Sequence, residues 1–461
     1  MSKTMVLAVI GGGSSQWMIS LMKDVYLLDA VDGGEIRLVD PDRGGAAAVA
    51  SMLARFNAER GKDYRISVCD DRAEALGGAD FVMTTFSPGS MDAFEYDLEI
   101  PIRYGIRQPV SMTVGPAGIS AALRTVPVAA EVVEDMERHC PGAWLLNVTN
   151  PMSAVTRAMN LAADSVHVVG LCHEFHAFPA LAAAILDLHP PAELNVVEQL
   201  YRWLPEQGLR YAVAGINHFI WIVAAELNGR DVLPDIRRFA REHRDLAPAG
   251  APYSMSNRHA AKLALCRTFG YLPLAGDRHL VEFWPHLCNV RNGYAMRYAV
   301  EKTTVDSRRH RREQNRARVQ RIAAGTEEMD WTRSGEEMTE VMHAILTGGS
   351  TTAILNLPNQ GQVGNLPRDA IVETLATVTG EQPVEPQSCG ELPGAVGSLC
   401  RLHVDVQEMT VQAALRGDRE LLVEALSLDP MCAGADFAEI GDLADELLAA
   451  NRRWLPRFFA F

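Results

Sequence analysis

The chain has no apolar run near the roughly 20 residues that a membrane-spanning helix needs, and aromatic residues make up only 7% of its 461 residues. Its start, MSKTMVLAVIGGG, lacks the longer apolar region and small-residue cleavage site of a signal peptide. The eight cysteines are scattered rather than arranged as a disulfide framework, so we expect a reducing, cytoplasmic location. Positive charge is scarce, and the net charge of −15 disfavours nucleic acid and anionic membranes as partners.

The first part of the chain alternates strand-like and helix-like segments. Short apolar runs predict buried strands, and stretches with helical spacing lie between them. Strands are predicted at 5–10, 35–39, 65–69, 80–85, 144–148 and 166–172, and the longer helices at 17–28, from after Asp40 to about residue 59, and at 121–140. This alternation is typical of a doubly wound, mostly parallel α/β sheet. Ligands of such sheets bind beyond the carboxyl ends of the strands, where the sequence places Asp40, Ser87, Asn147, Asn150 and Cys172.

The pattern changes after about residue 190. Residues 210–227 alternate like a strand or hairpin, residues 351–361 resemble a strand followed by a turn, and the segments around them look largely helical. We therefore expect a Rossmann-type domain over residues 1–192 and an α+β domain over residues 193–461 that binds substrate and metal and forms oligomers. No low-complexity linker separates them, which favours an active site in the cleft between the two. The basic run at 308–318 is interpreted as a solvated helix face.

A glycine-rich turn follows the first predicted strand. Gly11, Gly13, Ser14 and Ser15 lie between that strand and the first helix, where glycine permits a tight turn and the helix N-terminus can bind a pyrophosphate. The third glycine of the usual fingerprint is absent, since residue 16 is glutamine. Asp40 closes the second strand about 27 residues further on; it could bind both ribose hydroxyls and would repel a 2′-phosphate, which favours NAD over NADP. The alternative is a glycine turn with a helix-capping aspartate.

Several short segments stand out together. They are LNVTNP (146–151), GLCHE (170–174), GINH (215–218), FGYLPLAGDRHLVEF (269–283) and NLPNQG (356–361). With the GGGS turn, and in this order, they resemble the NAD- and manganese-dependent glycoside hydrolases of family four over nearly the whole chain. The resemblance implies a glycosidase in which NAD oxidises the 3-hydroxyl of the sugar, elimination releases the leaving group, and water then adds.

The resemblance implies a divalent metal, Mn²⁺, held by Cys172 and His218. One thiolate and one imidazole leave coordination positions open for sugar oxygens and water, as a catalytic site needs. The alternatives are a buried cysteine at a strand end and a hydrogen-bonded core histidine.

The resemblance also suggests roles around the sugar. His173 follows the metal cysteine, as it does in the family branches that act on unphosphorylated glycosides, and we expect α-linked substrates. This histidine could act as an acid on the leaving oxygen. The base at carbon 2 would be Tyr271 or Asp277, ranked almost equally. Substrate contacts are expected from Asn150, Arg124 and His279, with Ser87 and Asn147 near the cofactor. Asn150 could instead form an Asx turn, and Arg124 a structural ion pair.

Two segments depart from the family pattern. Residues 111–113 lack a carboxylate that some members have, and LAGDRH (274–279) replaces a familiar stretch. Both flank the expected sugar pocket, so they bear on substrate identity and on the choice of base. Two other functions stay open at this point: a 2-hydroxy-acid dehydrogenase of the lactate/malate type, which shares the Rossmann half, and a non-catalytic NAD sensor.

Overall fold

One continuous sheet of twelve strands runs through the protein, a computed structural model that describes residues 3–175, 178–191, 203–246, 258–380 and 384–459. The strands are β1 Lys3–Ile10, β2 Val31–Val39, β3 Asp63–Val68, β4 Phe81–Thr84, β5 Trp144–Asn147, β6 His167–Leu171, β7 Leu209–Ile216, β8 Phe219–Leu227, β9 Arg230–Asp231, β10 Ser350–Pro358, β11 Ile371–Thr379 and β12 Glu385–Pro386. The first six pair in parallel in the order β3-β2-β1-β4-β5-β6. This is the strand order of the dinucleotide-binding Rossmann fold, so the predicted fold of the N-terminal half is confirmed.

The second half extends the same sheet with antiparallel strands. β10 pairs with β6, and the order continues through β11, β7, β8 and β9, with β12 beside β11. The predicted hairpin is confirmed as β7 and β8, and the strand-turn segment as β10; β11 was not predicted. The expected domain boundary after residue 192 lies outside the described residues, so it stays a prediction, although the two halves share one sheet.

Helices cover both faces of the sheet. They are α1 Met18–Tyr26, α2 Arg43–Arg60, α3 Arg72–Leu76, α4 Ser90–Arg103, α5 Gly115–His139, α6 Met152–Ala162, α7 Phe178–Leu186, α8 Leu233–Glu242, α9 Ala260–Phe269, α10 Asp277–Leu280, α11 Val305–Ala324, α12 Met338–Thr347, α13 Gly394–Arg416, α14 Arg419–Leu428 and α15 Phe437–Asn451. Helix α5 begins six residues earlier than the sequence predicted, because Pro116 fits the first helical turn, where its missing N–H is not needed. None of the described helices is long and apolar enough to cross a membrane.

The basic run 308–318 lies on α11, which packs on α2 and α4 through buried Val319 and Ile322. Most of its charged side chains face solvent, as predicted. Several of them nevertheless reach the N-terminal half: Arg316 pairs with Asp42, Arg309 pairs with Glu95, and Arg312 donates to Ser90 Oγ. The helix therefore connects the second half of the chain to the loops beyond β2 and β4.

Candidate active site

The turn after β1 is built for close backbone approach. Gly11 has a φ of +91°, and a Cβ there would lie 2.4 Å from the carbonyl oxygen of Thr85. At Gly13 a Cβ would meet the carboxylate of Asp40 at 3.0 Å. The surrounding atoms thus leave no room for a side chain at either glycine. The turn continues through Ser14 and Ser15 into α1.

Asp40 lies one residue beyond β2, as predicted. Its Oδ2 accepts a hydrogen bond from the Gly13 amide at 2.9 Å, and its Oδ1 accepts one from Asp42 N at 2.7 Å. Burial raises the pKa of this carboxyl, and the Gly13 hydrogen bond and the charges of Arg312 and Arg316 partly offset the effect. Asp40 caps no helix, because the residue that caps α2 is Asp42. Each carboxylate oxygen keeps a lone pair with which to accept a ligand hydroxyl.

The sheet register brings the second half of the chain towards Cys172. Gly170 of β6 pairs with Asn356, Asn356 with Glu373, and Glu373 with Gly215 of β7, so four strands contribute to one row. The Glu373 carboxylate accepts hydrogen bonds from Asn356 Nδ2 at 2.9 Å and Asn217 Nδ2 at 3.3 Å. Burial raises the pKa of Glu373 to about 7.

Asn217 connects the two predicted metal ligands. Its side chain donates to Glu373 and also lowers the pKa of the Cys172 thiol, and the next residue in the β7–β8 turn is His218. The Asn217 Oδ1 and Asn356 Oδ1 atoms are buried without a hydrogen-bond partner in the described chain. Cys172 beyond β6, His218 in the β7–β8 turn and the unpaired amide oxygens therefore lie at the same end of this row.

His218 is held in a fixed orientation. Its backbone is left-handed, with a φ of +62°, and its Nδ1 lies 2.7 Å from Thr113 Oγ1. The ring stacks on His279 with 3.8 Å between the ring centroids. Burial and the neighbouring His279 lower the pKa of His218 well below its usual value, so the imidazole is neutral. Its Nε2 is then the nitrogen available to a metal, with the tautomer set by Thr113.

Cys172 lies just beyond β6. Burial and the charges of Glu373 and Glu174 raise the pKa of its thiol, while hydrogen bonds from the Glu174 amide and from Asn217 act in the opposite direction. Among the described residues no group of three or more His, Cys, Asp or Glu side chains is arranged to hold a metal ion.

Glu174 and His279 form a buried pair beside His218. Glu174 Oε1 lies 3.4 Å from His279 Nε2, and its Oε2 accepts from the Gly276 amide at 2.9 Å. Burial raises the pKa of Glu174, but the charge and hydrogen bond of His279 outweigh it, so that the pKa falls well below the usual value. The other ring nitrogen, His279 Nδ1, is buried without a partner in the described part of the chain. His279 can therefore accept a hydrogen bond from a bound molecule.

His173 pairs with Glu336, with 2.9 Å between Nδ1 and Oε1, and its ring lies 5.6 Å from that of Trp17 beside the glycine turn. Burial lowers the pKa of His173, but the hydrogen bond and charge of Glu336 outweigh this and raise it to about 9. The side chain is 25% exposed. It can thus hold a proton at neutral pH and pass it to a group in the cleft.

The base role of Asp277 or Tyr271 stays a prediction, and the structure places both side chains among other partners. Asp277 is fully buried, and its oxygens accept from the amides of Ala261 and Lys262, so it caps α9 and faces the Lys262 ammonium at 3.5 Å. Tyr271 lies below the Arg237 guanidinium, at 5.2 Å, on a segment that runs along β8 away from the β7–β8 turn. At about 3.3 Å per residue, that displacement is on the order of 15 Å from His218.

At Arg124 the structure shows the ion pair of the alternative interpretation. It forms a buried bidentate ion pair with Asp97, at 2.9 and 2.6 Å, and also donates to Asn451 Oδ1 and the Pro88 carbonyl. The structural alternative is therefore confirmed. A buried guanidinium with this many partners joins α4, α5 and α15.

The cofactor contact of Asn147 stays a prediction, and the structure shows its side chain bonded within the protein. Its Oδ1 accepts from Thr84 Oγ1 and the Thr149 amide, and its Nδ2 donates to Thr156 Oγ1, so the fully buried amide is saturated within the protein. Asn150 forms the alternative Asx turn, accepting from Met152 N at 3.2 Å, which leaves its Nδ2 for the predicted sugar contact. Ser87 is exposed beyond β4 and stays a predicted cofactor contact.

The sequence analysis missed four positioning groups. Asn217 and Glu174 lie inside motifs that it quoted, so their proximity to the ligands could have been inferred. Thr113 and Glu336 carry no such signal, because each lies over 100 residues from the histidine that it contacts.

Comparison with known proteins identifies the family of this chain. Residues 6–188 match the Family 4 glycosyl hydrolases, and residues 213–432 match the C-terminal domain of that family. An alpha-galacturonidase of Bacillus subtilis is 34% identical over 434 residues, covering 92% of this chain and 93% of the relative. Another, from Thermoanaerobacterium saccharolyticum, is 31% identical over 459 residues, covering 97% and 96%.

A crystal structure of a 6-phospho-alpha-glucosidase from gut microorganisms, in complex with NAD and Mn²⁺, shares the fold. Its TM-score is 0.80 at 20% identity, with 98% of this chain and 99% of that one covered. The family matches, the identities and the coverage support one conclusion. This chain belongs to family 4 of the glycosyl hydrolases and is an enzyme that hydrolyses glycosides.

Proposed function

We propose that this enzyme hydrolyses α-linked glycosides of galacturonic acid, using NAD in the β1–α1 turn and Mn²⁺ between Cys172 and His218. The substrate follows the two alpha-galacturonidases that match over more than nine-tenths of the chain. The observation that supports the site most directly is the strand register Gly170–Asn356–Glu373–Gly215, since it brings the end of β6, just before Cys172, and the end of β7, just before His218, into one row. The family match also argues against the 2-hydroxy-acid dehydrogenase and the NAD sensor.

The residues at the glycine turn fit NAD. Gly11 and Gly13 leave no room for a side chain, and the α1 N-terminus follows them, which suits a pyrophosphate. Asp40 has free lone pairs for ribose hydroxyls, and a 2′-phosphate would be repelled there. Bound NAD supplies a hydride acceptor and donor for a sugar carbon.

Cys172 and His218 fit a catalytic divalent ion. The unpaired Asn217 Oδ1 and His279 Nδ1 atoms next to them show that polar groups at this point await further partners. A thiolate, a neutral imidazole and open positions would let a bound Mn²⁺ act as a Lewis acid toward two sugar oxygens.

Two imidazole–carboxylate pairs flank the ligands and would move protons. His279, with Nε2 directed to Glu174, keeps Nδ1 to accept the proton of a sugar hydroxyl. His173, oriented by Glu336, would protonate the leaving oxygen. Asn150 Nδ2 would bind a further hydroxyl of the ring.

A panel of 4-nitrophenyl α- and β-glycosides, including uronides, tests this proposal in the presence of NAD and Mn²⁺. We expect nitrophenol release from the α-galacturonide that stops on EDTA treatment and returns with Mn²⁺, without NADH accumulation. Cys172→Ser should abolish it, whereas Cys140→Ser, a matched change of a buried cysteine on the far side of the parallel sheet, should not. Metal-independent hydrolysis, or turnover that accumulates NADH, would refute the proposal.

A cytoplasmic location and a homo-oligomer remain predictions. The location is supported by the eight cysteines, which are all unpaired.

A further inference from the structure

We propose that Arg308, with Arg278 beside it, binds the carboxylate of the uronic acid ring and so selects uronides over neutral sugars. This inference rests on the proposed function, and it names the residues that recognise the substrate. Neither residue was singled out in the sequence, where Arg308 is the first letter of the basic run.

The placement follows from the loop at residues 109–113. Its last residue, Thr113, holds His218, while its amides at Val110 and Ser111 donate to Glu282 Oε1 at 2.5 and 2.9 Å. The Thr303 amide donates to the Pro109 carbonyl at 2.8 Å, which fixes the start of α11 against the same loop. The loop therefore lies between the metal ligand and α11.

Arg308 reaches this loop from the first turns of α11. Its Nη2 lies 3.2 Å from the Met112 sulfur, and its Cζ lies 5.5 Å from the ring of Phe94. Met112 is the sequence neighbour of Thr113, so the guanidinium contacts the side chain next in the chain to the residue that holds His218. A thioether and an aromatic ring leave most of its five N–H donors unused.

The charges around Arg308 favour an anion. Its neighbours Lys302 and Arg309 have carboxylate partners, Glu99 and Glu95, whereas Arg308 forms no ion pair with any residue that the structure describes. Burial and the nearby charge of Arg278 lower the pKa of Arg308 to about 10. A half-buried cation with a second cation beside it is stabilised by a bound anion.

Arg278 also lies near this loop and near Arg308. It donates to Thr303 Oγ1 and precedes His279, whose ring stacks on His218. The carboxylate of Glu282 also lies here, but its Oε1 is taken by two backbone amides and burial raises its pKa to about 7. Glu282 thus compensates the two guanidinium groups only in part.

The geometry of a pyranose ring matches this arrangement. Carbon 5, which carries the uronate carboxylate, lies across the ring from carbons 2 and 3, whose oxygens would face Cys172 and His218. A carboxylate accepts two parallel hydrogen bonds from one guanidinium, which an ordinary hydroxymethyl group cannot do. Charge and geometry at Arg308 therefore discriminate galacturonides from galactosides.

The test compares kcat/KM on 4-nitrophenyl α-galacturonide and α-galactoside, using the holoenzyme with NAD and Mn²⁺. Arg308→Met should lower kcat/KM on the galacturonide by about 10- to 150-fold, the range for loss of a charge-assisted hydrogen bond, and leave the galactoside value within about threefold. Arg308→Lys should fall between the two. Arg309→Met, the adjacent arginine with an exposed partner, is the matched control and should change neither value.

The outcomes separate two kinds of failure. A wild type that prefers the galactoside overturns the proposed substrate and the role of Arg308 together. A wild type that prefers the galacturonide, with the same preference in Arg308→Met, overturns only the role of Arg308. Equal loss of activity on both sugars would show that Arg308 supports the fold and would also overturn the inference.

Discussion

Thr113→Val tests how the second metal ligand is oriented. The substitution keeps the shape of the side chain but removes the oxygen that lies 2.7 Å from His218 Nδ1. His218 is buried, so its Nδ1–H would lose its partner, at a cost of about 1–3 kcal/mol. A loss of about 1.4–2.8 kcal/mol corresponds to 10- to 100-fold, which is also the usual effect of removing a partner of a metal-bound histidine. We therefore expect the dissociation constant for Mn²⁺ to rise by about 10- to 100-fold.

The assay is a Mn²⁺ titration followed by electron paramagnetic resonance, with NAD present throughout. Thr125→Val is the matched control, because Thr125 is equally buried and its hydroxyl donates only to a carbonyl of its own helix, α5. Its Mn²⁺ affinity should match that of wild type. An unchanged affinity in Thr113→Val would refute the claim that Thr113 sets the metal-binding tautomer of His218.

Three further changes have defined outcomes. Asp40→Ala should weaken NAD binding by about 10- to 150-fold, measured by fluorescence titration, because it removes a charged acceptor for ribose hydroxyls; an unchanged affinity would place the ribose elsewhere. Asp277→Asn should lower the free energy of unfolding, measured in urea, by about 3 kcal/mol, because it breaks a buried ion pair with Lys262. The folded variant should keep the kcat of the wild type. Loss of kcat at unchanged stability would instead support Asp277 as the base. Glu337 is partly buried, and desolvation raises the pKa of its carboxyl to about 8, so the folded state binds its proton more tightly than the unfolded chain. Its contribution is fully present below about pH 4.5 and falls as pH rises through 8, on the order of 4 kcal/mol. Glu337→Gln should flatten that decline in urea unfolding between pH 5 and 9, whereas Glu328→Gln, an exposed change, should not; equal slopes would contradict the reasoning.

The sequence predicts well whatever depends on local pattern. The alternation of strands and helices, the glycine turn, and the placement of Asp40 and Cys172 beyond strand ends all follow from residues close together in the chain. Gly11 is an example: a turn directly after a buried strand requires a residue with positive φ.

Contacts with residues far away in the chain explain why several predictions for site residues differ from what the structure shows. Arg124 and Asp277 are polar residues that lie among the motifs. Nothing near them in sequence shows that Arg124 donates to Asn451, or that Asp277 accepts hydrogen bonds from the N-terminus of α9. Tyr271 lies beside β8 because backbone hydrogen bonds join Leu272 and Leu274 to that strand, a pairing that the sequence does not show. Arg308 illustrates the opposite error, since a run of basic residues hides the one that turns inward toward Met112.

Location of the metal tests the central claim most directly. Crystals grown with NAD and Mn²⁺ should show, in an anomalous difference map at the manganese absorption edge, one strong peak within bonding distance of both Cys172 Sγ and His218 Nε2. A peak held by other residues, or one that touches only one of these two atoms, would contradict the account.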